Sequence, residues 1–139
     1  MCAPTASGAR AQAGERDAKL VAPGGEPLFT VIVAEAAVRS ALAGRLAMDG
    51  ANMCTALGFD ERRPPPVRDA AAILVTDQAT VDMHSGGVVA LLHDASWHRI
   101  IVLTPGAAAT SEDPRLLYVE RGDAVAATIR LRTEWRRDG

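Results

Sequence analysis

The chain reads as an α/β protein built on a doubly wound, five-stranded parallel sheet, and three observations carry that reading. Short apolar runs rich in β-branched residues recur at residues 30–33 (TVIV), 71–77 (AAILVTD) and 99–103 (RIIVL). Unbroken runs of this length suit strands covered by helices on both faces. Segments with the three-to-four-residue spacing of helices separate them, and such alternation argues for a parallel sheet. The runs also end in chemistry: Glu35 just past the first, Asp77 closing the next, Thr104 just past the last. Ligands of open α/β sheets bind beyond the carboxyl ends of the strands.

Composition narrows the classes. The chain has 139 residues, enough for one domain with a sizeable core, and its 48% hydrophobic content is mostly aliphatic. A formal net charge of -2 leaves no footprint for nucleic acid. The basic residues are arginines except Lys19. No apolar window approaches membrane-spanning length, and the first residues lack the apolar core of a signal peptide. Cys2 and Cys54 lie far apart, without a CxxC or a His/Cys cluster. Neither a disulfide framework nor a zinc site is expected, and the cytoplasm fits.

Residues 1–27 carry Gly, Ala, Pro and balanced charge without periodicity, and read as a disordered N-terminal tail before a domain spanning 28–139. The first strand falls at about 29–33. A helix follows from near Ala36, with Val38, Leu42 and Leu46 at fourfold spacing, and Gly50 suits its C-terminal stop. Residues 52–57 (NMCTAL) form a weaker second strand. Three consecutive prolines at 64–66 restrict the 58–70 connection to a single helical turn near 60–63. The third strand, 71–77, leads through 78–84 to a helix over about 85–94, with Val88, Val89, Leu91 and Leu92 as its apolar residues. After the fourth strand, 99–103, residues 105–114 are small, polar and flanked by prolines, with room for one turn of helix. A fifth strand, 116–119 (LLYV), precedes Asp123, a suitable N-cap for a last helix over about 124–136.

In this order the elements resemble a response-regulator receiver domain of two-component signalling, across about residues 28–135. Asp77 matches the phosphoacceptor that ends the family's third strand, Thr104 the hydroxyl ending the fourth, and Tyr118 the aromatic switch of the fifth. The first helix, VRSALAGRLAMDGA, follows the family's pattern of Arg, spaced Leu and closing Gly. The resemblance implies a flavodoxin-like strand order 2-1-3-4-5, here with shortened second and fourth helices, and partners such as a histidine kinase, a phosphotransferase or a regulator. Homodimers also fit.

Two departures matter. The family's paired acids after the first strand shrink to Glu35, so Mg²⁺, which needs an oxygen cage anchored by carboxylates, is expected to bind weakly or not at all. The family's Lys-Pro after the fifth strand is replaced by Glu120-Arg121-Gly122. Arg121 is then the cation at the site, and a planar fork is a different partner from an ammonium. The expected resting state is an Asp77–Arg121 ion pair. Plainer readings stand beside these: a strand-end hydroxyl for Thr104, a core aromatic for Tyr118.

Other signals are weaker. The turn VAEAAV lacks the glycines that phosphate-binding loops need. Gly86-Gly87 suits an anion or, more simply, a flexible helix start. His84, His93 and His98 lack metal-ligand spacing, and no nucleophile-elbow motif is present. No catalytic or metal-binding residue is assigned, and no cofactor. The expected function is a non-enzymatic pseudo-receiver in a phosphorelay, acting through protein–protein interaction with a degraded phosphorylation site. Two alternatives remain open: a receiver phosphorylated on Asp77, and a small α/β ligand-binding module or enzyme using the same sheet edge.

Overall fold

Once the β-branched runs are extended, their side chains must be covered on both sides, and the computed structural model shows how. It describes residues 26–59 and 71–138. Strands β1 (Leu28–Ile32), β2 (Asn52–Thr55), β3 (Ala72–Asp77), β4 (Trp97–Thr104) and β5 (Leu116–Glu120) form one sheet. All pairings are parallel and the order is β2-β1-β3-β4-β5, as the sequence predicts.

The two faces bury separate aliphatic clusters. On one, Phe29, Val31, Ile73, Val75 and Ile101 meet Leu42 and Leu46 of α1 (Ala36–Met48) and Ala124 and Ala127 of α4 (Ala124–Asp138). On the other, Ile32, Leu74, Ile100 and Val102 meet Val81 of α2 (Gln78–Met83) and Leu91 of α3 (Gly87–His93). Burial on both faces explains why these strands read as continuous apolar runs.

Helix α1 ends as expected. Gly50 adopts φ 77°, its N–H donates to the Ala47 carbonyl, and the N–H of Ala51 donates to the Leu46 carbonyl. This paired closure needs a left-handed residue after the helix, which glycine takes without penalty.

Other boundaries move. A separate helix, α2, starts directly after β3, where no element was expected. Residues 105–115 hold neither helix nor strand, so the helix expected to be short between β4 and β5 is missing. A 3-10 turn (Arg121–Asp123) leads into α4, and Asp123 belongs to that turn rather than capping the helix with its side chain. Of the tail expected over residues 1–27, positions 1–25 lie outside the described residues, as does the helical turn expected near 60–63. Glu26, assigned to the tail by its sequence, belongs to the domain. Its carboxylate accepts two hydrogen bonds from the nearly buried Arg132 guanidinium, both at 2.8 Å. Those bonds, above all, raise the Arg132 pKa beyond its already high ordinary value, against the opposing effect of burial. Cys54 is disulfide-bonded, a link the sequence reading, which expected no disulfide framework, did not anticipate. Such bonds belong to oxidising conditions, so Cys54 lends the cytoplasmic expectation no support.

Candidate functional site

The C-terminal edge of the sheet opens into a cleft of about 450 Å³. Glu35, Asp77, Thr104 and Arg121 all line it, with Val33, Val38 and Leu103 forming apolar wall. Tyr118 does not line it. That side chain is half-buried and packs on the opposite cluster, with Val102 as its register partner on β4. Four of the five residues singled out in the sequence are therefore gathered, and the aromatic lies apart from them.

Asp77 closes β3 and serves as N-cap of α2. Its Oδ1 accepts from the Thr80 backbone N–H at 3.0 Å and also from the Thr80 hydroxyl. Its Oδ2 accepts from the Ala34 N–H, again at 3.0 Å, across the loop that follows β1. The first bond is the standard device for satisfying an orphan donor in a helix's opening turn. The second ties two adjacent strand ends together. A carboxylate has roughly four lone-pair positions, and three of them are occupied by donors from this chain.

The expected Asp77–Arg121 ion pair does not form. Arg121 Nη1 instead donates to Glu35 Oε2 at 2.7 Å, with both side chains about half exposed. The physical reason is competition. Asp77 is already satisfied by short-range donors whose backbones are fixed, whereas Glu35 sits at the N-cap of α1 without a capping hydrogen bond of its own. The longer glutamate side chain is thus free to meet the arginine at the rim. Arg39 also holds this loop, through a 2.7 Å bond from its Nη1 to the Val33 carbonyl.

Thr104 is buried, and its hydroxyl bonds to backbone carbonyls. It donates to the Gly106 carbonyl at 2.8 Å, with Val119 O further off at 3.5 Å. The hydroxyl therefore fastens the start of the 105–115 connection. Thr76, which reaches the Ile32 carbonyl at 2.7 Å, makes a similar tie one residue before Asp77.

Thr80, Gln78 and Asp82 belong to the site and were missed. Gln78 and Asp82 join by a 2.8 Å hydrogen bond on the exposed side of α2, and both line the cleft. Their signal was present in the run Asp77-Gln78-Ala79-Thr80, in which an aspartate precedes residues able to start a helix. Among the described residues, no three His, Cys, Asp or Glu side chains gather in a group that could hold a metal ion. The cleft as folded combines apolar wall, one rim ion pair and a carboxylate used for construction. Comparison of the chain with protein-family models, with curated proteins and with solved structures returns no match in any of the three.

Proposed function

We propose that this chain is a receiver-like signalling module that acts through protein–protein contacts and does not depend on phosphoryl transfer. One observation carries the reading: both oxygens of Asp77 hold the ends of β1 and β3 and the start of α2 together. Phosphorylation would convert one of those oxygens into the bridging atom of an acyl phosphate, a mixed anhydride, and break a structural tie. It would also place about two negative charges in a cleft lined by Glu35 and Asp82, where, among the described residues, Arg121 is the arginine of the lining. Transfer to an aspartate requires the charge on the transferring oxygens to be neutralised, and this edge offers little for that. The strand order and the gathering of Glu35, Asp77, Thr104 and Arg121 at one edge support the receiver resemblance.

The partners in this reading are other signalling proteins: a histidine kinase, a phosphotransferase, a regulator or a second copy. Among the described residues no helix is long and apolar enough to cross a membrane. Activity as an enzyme and a bound cofactor form no part of the proposal.

The test is partner capture by the full chain and by its Asp77→Asn variant, with and without Mg²⁺ and beryllofluoride as a phosphate mimic. The same partners at the same affinity under all conditions are expected. A gain of tenfold, about 1.4 kcal/mol, with the mimic would replace this reading by that of a switching receiver. Backbone amide signals of Ala34 and Thr80 are the proper local reporters. Trp97 and Trp135 lie at the opposite end of the sheet, at the start of β4 and beside His98.

A second reading has one observation in its favour. The cleft's volume and mixed lining fall in the range of small-molecule sites, which suits a ligand-binding module. Ligand-detected NMR against a fragment set would support it through hits that are lost in Arg121→Ala or Val38→Asp, both in the cleft lining.

A further inference from the structure

At the far end of the sheet, β3 and β4 pair with a shift in register. Ala72 opposes Trp97 and Ile73 opposes Arg99, so His98 is passed over. An extra residue of this kind leaves a ladder donor unmatched. Here the imidazole supplies the acceptor: the Ala72 N–H donates to His98 Nδ1 at 3.1 Å. The bulged residue's own carbonyl accepts from Arg99 Nη1 at 2.8 Å. The ring meets Trp135 of α4 edge-on, with centroids 6.3 Å apart, and the Arg99 guanidinium lies over the same indole at 5.1 Å. One histidine therefore joins β3, β4 and the last helix.

We propose that His98 is a pH-sensitive latch on the first residue of β3, independent of the reading given to the Asp77 cleft. Nδ1 accepts only while it carries no proton, which places the neutral ring's proton on Nε2. Protonation turns Nδ1 into a donor facing the Ala72 N–H, and two donors cannot share that bond. The side chain is half-buried, so protons reach it. Among the described residues, no carboxylate hydrogen-bonds to the imidazole at this end. Arg99 is adjacent, Arg115 donates to the Trp97 carbonyl, and Glu26 is engaged by Arg132 and Arg136. Glu134, next to Trp135 on α4, is exposed. When Nδ1 takes up a proton the latch opens. The start of β3 is released and the packing of Trp135 changes.

The experiment follows hydrogen exchange at the Ala72 amide, corrected for its intrinsic pH dependence, and Trp emission, from neutral to mildly acidic pH. Wild type is expected to lose at least tenfold in Ala72 protection on acidification, with a parallel emission change. His98→Asn, whose Oδ1 takes the place of Nδ1 and does not titrate, should keep protection at every pH. His98→Ala should lack it throughout. His84 and His93 remain in each variant and serve as controls. Ala72 protection in the wild type that is flat with pH, or that titrates equally in His98→Asn, overturns the proposal.

Discussion

Asp77 shows how one side chain's role is decided by what reaches it first. Its position at a strand's carboxyl end was legible in AAILVTD, because an apolar β-branched run ending in an acid leaves few other readings. Its partner was not legible, since the choice between a cap and an ion pair depends on which donors the fold fixes nearby. Asp77→Ala should cost about 1–2 kcal/mol, the usual loss for an N-cap. Asp77→Asn should cost less, because asparagine caps well but offers a single acceptor oxygen for the donors of Ala34 and Thr80. Denaturant midpoints at constant slope give both values. Arg121→Ala, by contrast, removes a half-exposed pair with Glu35 and should shift stability by no more than about 1 kcal/mol. Arg132 is the costly cation. It is 7% exposed and bound twice by Glu26, so Arg132→Ala should lose about 1.5–3 kcal/mol, while Arg132→Met, which keeps the volume, should lose less. The sign with pH is simple. A cation whose folded pKa is raised contributes fully below its unfolded value and loses that contribution only as pH rises through the folded one. For Arg132, raised first by its Glu26 hydrogen bonds, that window lies above the ordinary arginine range, so its own share is constant across neutral pH.

Among the elements, those with strong periodicity were the legible ones. Helix α1 matched because Val38, Leu42 and Leu46 share a face and Gly50 closes the helix. Gly50→Ala should cost about 1–2 kcal/mol, the penalty of a left-handed L-residue. A Cβ there meets no atom within 4 Å, so backbone strain alone is measured by thermal or chemical unfolding. Helix α2 was missed because six residues with one buried side chain, Val81, carry almost no pattern. So short a helix is marginal without its cap. The Asp77→Ala change should therefore raise amide exchange in residues 78–83 at least tenfold while leaving α1 protected. Equal loss in both helices would show that Asp77 supports the whole fold rather than this one element. The bulge at His98 had no sequence signature either, since register depends on how two strands meet.

At the scale of the whole molecule, the parallel sheet followed from alternation of buried strands and helices, its strand order from right-handed crossovers and the receiver resemblance, and the crossover between β4 and β5 was correctly read as unable to hold a long helix. Its small residues and prolines supply neither an apolar stripe nor a full set of N–H donors. What the pattern left open was the use of the sheet edge, because the same four side chains could serve transfer chemistry or construction. The central claim is that Asp77 holds three segments together and accepts no phosphoryl group. Its most direct test exposes the intact chain to acetyl phosphate and Mg²⁺, then to beryllofluoride, and follows intact mass together with the amide signals of Ala34 and Thr80. The account predicts no phosphoryl adduct, a result identical to that of Asp77→Asn, and amide positions unmoved by the mimic. A phosphoryl adduct on Asp77 that is absent from Asp77→Asn, with shifted Ala34 and Thr80 amides, would contradict it.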